Sequence, residues 1–219
     1  MDTGFSGLLT ATVFLPAVGA VFILLLVRGD RNIRVVAVMV AVADLVLTLL
    51  VFGLFSHGED AARFQFIDQF TWIPGETLRA NYLLGVDGLS APLVALTGIL
   101  GLCAVLASWR IDTRVREHFV WLLVLQTAVM GVFSSLDLLL FFFFWELELV
   151  PMYMLISIWG TGRKEYSAMK FLMFTILGSA FMLVAIVAVF LTPDVGTFDM
   201  RALSTQGTML GAGVLLPLG

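Results

Sequence analysis

The chain has 219 residues, of which 60% are hydrophobic and 13% are charged. Soluble globular proteins are about half apolar and about a quarter charged, so this composition excludes a water-soluble domain and predicts a protein of the lipid bilayer. The formal net charge of −4 does not indicate nucleic-acid binding, and the single cysteine excludes a disulfide framework or a cysteine metal cluster within the chain.

Six apolar stretches are long enough to cross a membrane, since a hydrocarbon core of about 30 Å requires roughly 20 residues of helix. All are predicted to be helical, because backbone groups in lipid must be hydrogen-bonded within their own segment. The first has no basic residue before it and is expected to be an uncleaved helix. These stretches lie near residues 8–27, 33–55, 89–109, 118–135, 137–159 and 168–191, and a seventh run begins at Met209.

The basic residues alternate between the connections and predict the orientation of the chain. Nine of the twelve lie in or beside the first-to-second, third-to-fourth and fifth-to-sixth connections. Cytoplasmic loops carry the excess of Lys and Arg, so these connections are predicted to be cytoplasmic and the N-terminus to lie outside. The remaining three are Arg63, Arg79 and Arg201.

The longest connection, residues 56–88, is predicted to face outward. The stretch 64-FQFIDQFTW-72 alternates aromatic and polar residues, and Pro74-Gly75 separates it from a second short apolar run. This pattern predicts a small β-hairpin, although an interfacial amphipathic segment would give a similar alternation. Asp87 or Ser90 is expected to cap the third helix.

Two glutamates and a proline interrupt the fifth span, 138-LLLFFFFWELELVPMYMLISIWG-160. Glu146 lies near the predicted midplane, where an ionised carboxylate costs at least about 2.5 kcal/mol and usually marks a functional site. Pro151 removes a backbone hydrogen bond to the carbonyl of Leu147, which favours a loosened turn beside Glu146. Glu148 lies about 200° further around the helix, so the two glutamates are expected to face different partners. A carboxyl in this setting favours a proton relay; a protonated, hydrogen-bonded structural residue is the alternative.

Three further polar positions are candidates within the spans. Asp44 in the second span is a candidate relay group, but it could simply bond to Thr48 one turn away. Lys170 begins the sixth span, where it is expected either to extend to the cytoplasmic edge or to pair with a carboxylate of the preceding helix. Gln126 and Thr127 could hydrate a path or bond between helices.

Motifs for redox and nucleotide chemistry are absent from the sequence. There is no GxGxxG, P-loop, CxxC or HExxH pattern, and His57 and His118 lie in or beside loops. We therefore expect no metal ligand or cofactor site on this chain, and any redox centre to lie on partner chains.

The block 136-LDLLLFFFFWELELVPMYMLISIWG-160, preceded by 85-GVDGLSAPL-93 and followed by 168-AMKFLMFT-175, resembles the M-type (chain 4) antiporter-like membrane subunits of respiratory complex I, the proton-pumping NADH:quinone oxidoreductase. Relatives of these subunits occur in membrane-bound hydrogenases and in cation/proton antiporters. The resemblance is ordered along the chain and covers most of residues 83–190.

This resemblance implies a larger protein, with roughly fourteen spans and two inverted repeats that each contain a broken helix. The family's essential glutamate falls on Glu146, and its lysine partner on the broken seventh helix would lie beyond Gly219. Lys170 matches a lysine found in only part of the family. The sequence is then either part of a longer chain or one piece of a split subunit.

The fold class expected is an all-α, polytopic membrane helix bundle that forms the first half of an antiporter-like fold. The function expected is a proton-translocating membrane-arm subunit of a complex-I-type enzyme in a bacterial inner membrane. NADH, FMN, iron–sulfur clusters and quinone would be bound by partner subunits, and neighbouring antiporter-like subunits would be its closest partners. The alternatives are a subunit of a multi-chain cation/proton antiporter and a purely structural helix bundle. The divisions expected are residues 1–55 (two leading helices), 56–88 (outer loop), 89–109 (third helix) and 110–219 (helices four to six and the start of broken helix seven).

Overall fold

The computed structural model describes residues 7–56, 62–73, 80–191 and 196–204, and within them it forms six long helices and one antiparallel hairpin. Each helix is long and apolar enough to cross a membrane. The helices are α1 (Leu8–Leu26), α2 (Asp30–Leu54), α3 (Ser90–Ala107), α4 (Val115–Ser134), α5 (Leu138–Trp159) and α6 (Lys164–Leu191), and the strands are β1 (Gln65–Ile73) and β2 (Ala80–Val86).

The six predicted spans are confirmed, with ends that differ by a few residues. The largest difference is at α6, which begins at Lys164 instead of residue 168, so that the basic residues before the apolar run are already helical. A short 3₁₀ turn, Ser108–Arg110, closes α3. The predicted seventh run from Met209 lies outside the described residues.

Helix α4 lies at the centre of the bundle and packs against α1, α2, α3 and α5, whereas α6 packs against α5. In the apolar 18-residue stretch of α4, half of the residues are buried, whereas in that of α6 only 11% are buried. Glycines allow close approach within the packed part, as between membrane helices generally. Gly98 of α3 lies against Thr48, and Gly131 of α4 lies against the ring of Phe144.

The predicted hairpin is confirmed in the connection between α2 and α3. Strands β1 and β2 pair antiparallel, with Asp68 opposite Leu84 and Phe70 opposite Tyr82. An irregularity between Gln65 and Asp68, where Phe66 has a φ of 54°, resets the simple alternation read from the sequence. Asp68 is fully buried, while Phe70, two residues further along the same face of the strand, is exposed.

Asp68 joins this hairpin to the first helix. Its carboxylate accepts hydrogen bonds from the backbone N–H groups of Gly7 and Thr10 (both 2.9 Å) and from the Thr10 hydroxyl (2.8 Å). These are the N–H groups that a helix leaves unpaired at its start, and they favour a negative partner. The hairpin therefore completes the end of α1.

Two other acidic residues cap helices at the same end of the bundle. The Asp87 carboxylate accepts from the backbone N–H of Ser90 (2.7 Å), and the Ser90 hydroxyl accepts from the Asp87 N–H (2.8 Å), which confirms the predicted cap of α3. Asp137 accepts from the N–H groups of Leu139 and Leu140 at the start of α5. The residues beside Asp137 also pair with β2 and with residues 198–200.

The opposite end of the bundle carries most of the basic residues. Arg34 of α2 forms an ion pair with Asp112 (2.9 Å), and Arg116 of α4 donates to the carbonyl of Val27. The Trp159 indole N–H donates to the carbonyl of Thr113. These bonds join the three connections that were predicted to be cytoplasmic.

Candidate functional site

Glu146 lies on the ninth residue of α5, at a half-buried position. One of its carboxyl oxygens, Oε1, is buried and has no hydrogen-bond partner among the described residues. A buried polar atom without a partner costs about 1–3 kcal/mol, so its persistence in a native fold calls for a specific reason. We therefore expect the Oε1 atom of Glu146 to be hydrogen-bonded to a group outside the described part of the chain.

Pro151 lies inside α5, which continues through it to Trp159. Proline carries no N–H, so the carbonyl of Leu147, one turn earlier, loses its usual helical donor. That carbonyl is adjacent in sequence to Glu146 and adds a second polar group to the same turn. Glu148, two residues beyond Glu146, is also half-buried and lies on a different side of the helix.

Asp44 is fully buried on α2 and is bonded to Gln126 of α4 rather than to Thr48. The Gln126 side-chain N–H donates to Oδ2 of Asp44 at 2.6 Å. The Thr48 hydroxyl instead donates to the carbonyl of Leu45, within its own helix. The predicted helix-to-helix bonding of Gln126 is thus confirmed, and the partner suggested for Asp44 was wrong.

Lys170 is the seventh residue of α6 and its side chain is exposed. Its ammonium lies 6.0 Å from the centroid of the Phe174 ring, and it forms no ion pair with a carboxylate of the described residues. The pairing with α5 considered from the sequence is therefore not formed here. Lys164, at the start of the helix, donates to the carbonyl of Ile158 at 2.6 Å.

The four predicted site residues do not form one cluster. No hydrogen bond or ion pair joins Glu146, Glu148, Asp44 or Lys170 to one another in the part of the chain that is described. Nor do the described residues contain a group of three or more His, Cys, Asp or Glu side chains that could hold a metal ion. His118 is buried in the first turn of α4, with Nε2 2.9 Å from the Ser108 hydroxyl and its ring 4.8 Å from that of Trp159.

An apolar cavity of about 390 Å³ lies between α3 and α4. Gln126 and Thr97 are the polar residues in its wall, and Leu and Val side chains form most of the rest. This cavity was not predicted from the sequence, because it depends on how the two helices are rotated relative to each other.

Comparison with known proteins shows which family this chain resembles. Residues 135–217, which include Glu146, Glu148 and Lys170, match a family described as "NADH:quinone oxidoreductase/Mrp antiporter, TM". This part of the chain is similar to that family. Together with the six apolar helices, this makes it a multi-pass membrane protein of antiporter-like fold.

The similar proteins support the same family over most of the chain. NAD(P)H-quinone oxidoreductase chain 4 of the Chlorokybus atmophyticus chloroplast is 39% identical over 189 residues, covering 86% of this chain and 36% of the relative. A chain 4 protein of a Nostoc species is 36% identical over 223 residues, covering 96% and 41%. A chain of respiratory complex I from Thermus thermophilus, solved with bound NADH, superposes with a TM-score of 0.74 at 27% identity, over 89% of this chain and 38% of that one.

The chain therefore spans 36% to 41% of the length of these curated relatives. It corresponds to their N-terminal part, as the resemblance noted in the sequence implied.

Proposed function

We propose that this chain forms the N-terminal part of a proton-translocating membrane-arm subunit in a complex-I-type NADH:quinone oxidoreductase. The carboxyl of Glu146, half-buried in a membrane span with one oxygen unpartnered, is the observation that carries the proposal. Relatives named as NAD(P)H-quinone oxidoreductase chain 4 favour this assignment over an antiporter subunit.

Glu146 would act by exchanging a proton within the bilayer. Removal from water disfavours the ionised form of a carboxyl. Its neutral and ionised forms have similar free energies only when a nearby polar or cationic group compensates the charge. The unpartnered oxygen and the free carbonyl of Leu147 mark the side of α5 where such a group, or water, would approach. In the family that the chain resembles, that group is a lysine on the broken seventh helix.

The other predicted site residues take secondary roles in this proposal. Glu148 would face a neighbouring helix or subunit, and Lys170 would carry a charge near the cytoplasmic end of α6, where a carboxylate outside the described residues could approach it. The electron-transfer chemistry would lie on partner subunits that bind NADH, FMN, iron–sulfur clusters and quinone. Adjacent antiporter-like subunits would contact this one within the bilayer.

We further propose a bacterial plasma membrane as the location, with the N-terminus outside. The distribution of basic residues supports this orientation, because nine of twelve lie at one end of the bundle. Cysteines introduced at Gly29 and at Gly88, in a variant with Cys103 replaced by serine, test it. Only the cysteine at position 88 should react with an impermeant maleimide added to intact cells; labelling at position 29 alone would reverse the orientation.

The function is tested by replacing Glu146 in the full-length subunit of the assembled complex. Glu146→Gln should abolish quinone-coupled proton pumping in sealed vesicles, because an amide cannot release a proton, and Glu146→Asp should retain part of it. Glu148→Gln is the matched control, with an expected milder loss. Normal pumping by Glu146→Gln would overturn the relay, and complete loss in Glu148→Gln with a silent Glu146→Gln would transfer the role to Glu148.

A further inference from the structure

The buried pair of Asp44 and Gln126 leaves two oxygen atoms without partners. Asp44 has no exposed surface and Gln126 is 5% exposed. Their contact provides one hydrogen bond, from the Gln126 amide N–H to Oδ2 of Asp44 at 2.6 Å. The other carboxyl oxygen, Oδ1, and the amide oxygen of Gln126 are both buried and accept no hydrogen bond from the described residues.

Two oxygens can be joined directly only through a hydrogen that one of them carries. A neutral carboxylic acid carries one, and a primary amide offers both a donor and an acceptor. The two groups can therefore form a cyclic pair, in which the amide N–H donates to one carboxyl oxygen and the acid O–H donates to the amide oxygen. An ionised carboxylate has no such hydrogen and leaves both acceptors unsatisfied, at about 1–3 kcal/mol each.

The surrounding helices provide no charge to stabilise an ionised Asp44. Helices α1 and α3 contain no Asp, Glu, Lys, Arg or His, and their one ionisable side chain, Cys103, is exposed. Apart from Asp44, the charged residues of α2 and α4 lie near the start of each helix, and α5, which packs against α4, adds only the carboxyls of Glu146 and Glu148. Arg34, ten residues from Asp44, is about 15 Å away along the axis, and His118, eight residues from Gln126, is about 12 Å away.

Helix α3 packs closely beside the pair. A Cβ atom at Gly98 of α3 would overlap the Thr48 side chain, and one at Gly101 would overlap the Gln126 amide. The cavity on the other side of Gln126 is lined mainly by apolar side chains. A charge buried in such surroundings without a counter-ion is strongly disfavoured.

We propose that Asp44 and Gln126 form a proton-binding site, a carboxylic acid–amide pair that keeps its proton at neutral pH and clamps α2 to α4. Its ligand is a single proton, and the site is separate from Glu146. Removal of that proton at alkaline pH would break the O–H···O bond and place an uncompensated charge inside the bundle. The inference rests on the pair itself and does not depend on the proposed function.

Infrared spectroscopy of the full-length subunit in its complex tests the protonation state directly. At neutral pH the wild type minus Asp44→Asn difference spectrum should contain the C=O stretch of a carboxylic acid. Thr127→Val, which removes a buried hydroxyl beside Gln126, is the matched control and should leave that band in place. A carboxylate band at Asp44 instead of the acid band would overturn the proposal.

Thermal unfolding as a function of pH provides a second measurement. Asp44→Asn preserves a cyclic amide pair without the titratable proton, so the wild type should lose stability relative to this variant as the pH rises above about 4, the ordinary pKa of an aspartate. Loss of relative stability on acidification would instead indicate an ionised carboxylate bridged by water, and would overturn the proposal. If Asp44→Asn does not assemble, Gln126→Leu should shift the acid band to the higher frequency of an unbonded acid; an unchanged band would exclude the pair.

Discussion

The two intramembrane carboxyls Asp44 and Glu146 lie in regions that differ in how completely they are packed. Asp44 lies among α1–α4, where the chain supplies an amide donor, glycine contacts and full burial. Glu146 lies on α5, beside α6. In the apolar 18-residue stretches of these helices, only 22% of the residues of α5 and 11% of those of α6 are buried. Each residue has one buried oxygen without a described partner, but Asp44 is fully buried and accepts a hydrogen bond from Gln126, whereas Glu146 is half-buried.

This difference separates two uses of the same chemical group. A fully buried carboxyl that is hydrogen-bonded within its own bundle keeps one protonation state. Gain or loss of a proton would break that hydrogen bonding, and nothing within the packed bundle would replace it. A carboxyl at a half-buried position, which groups outside the described residues can approach, can change its protonation state when its surroundings change. The contrast supports the two proposals, proton retention at Asp44 and proton exchange at Glu146, and the following experiments test it.

Removing a partner should cost most inside the packed region. Gln126→Leu leaves the Asp44 carboxyl without its donor and should lower the free energy of unfolding by about 3 kcal/mol. Glu146→Leu removes an atom that has no described partner and should cost less than about 1 kcal/mol. Thermal unfolding of the purified complex measures both; equal losses would remove the contrast between the two regions.

Glycine substitutions measure the packing directly. Gly131→Ala places a methyl group against the Phe144 ring and should cost about 2 kcal/mol. Gly178→Ala on α6 meets nothing within 4 Å among the described residues and should gain up to about 1 kcal/mol of helix propensity. A loss at Gly178 as large as that at Gly131 would show that a further element packs closely on α6.

The cap at the start of α5 joins the two regions and should have a smaller effect. Asp137→Ala removes the acceptor for three backbone N–H groups, those of Leu139, Leu140 and Asn81, and should cost about 1 kcal/mol. Asp137→Asn keeps an oxygen acceptor and is the matched control, with an expected loss of a few tenths of a kcal/mol. Equal losses in the two variants would mean that the charge, rather than the acceptor, stabilises α5.

The smallest expected effect is a pair of opposite pH dependences at two caps outside the spans. Burial, reinforced by nearby Asp199, raises the pKa of Asp137 above 3.8. Burial also acts to raise the pKa of Asp87, but its bonds to Ser90 and Leu89 outweigh burial and hold that pKa below 3.8.

Relative to its asparagine variant, Asp137 should therefore stabilise the fold most below about pH 4 and lose that contribution as the pH rises. Asp87 should stabilise above about pH 4 and lose its contribution as the pH falls. Melting temperatures of Asp137→Asn and Asp87→Asn across the acid range measure both signs. The same sign at both positions would contradict this assignment.

Local sequence patterns predicted the helices and the hairpin because length, hydropathy and period are properties of neighbouring residues. The cap of α3 by Asp87 and Ser90 could be predicted for the same reason. The bond between Asp44 and Gln126 was not, since the two residues are 82 positions apart and meet only when α2 and α4 adopt one particular rotation.

The acidic residues at the end of the bundle that carries the hairpin also have contacts that local sequence patterns could not predict. Asp68 is a polar residue within a strand, and its bonds to the start of α1 involve residues 58 and 61 positions away. Asp137 stands before an apolar run as many helix caps do, but its pairing with residues 198–200 requires α6 to return to the same end. For Glu146 the sequence indicated a buried carboxyl, and the structure adds the unpartnered oxygen.

The carboxylate of Asp68 also has a consequence for biogenesis. The first helix leaves the ribosome early, but the group that completes its start is synthesised 58 residues after Thr10. During insertion, the leading end of α1 must therefore remain hydrated until a second segment has crossed the bilayer and delivered the hairpin. The end of the bundle that carries the hairpin is completed only after α1 and α2 are already in place.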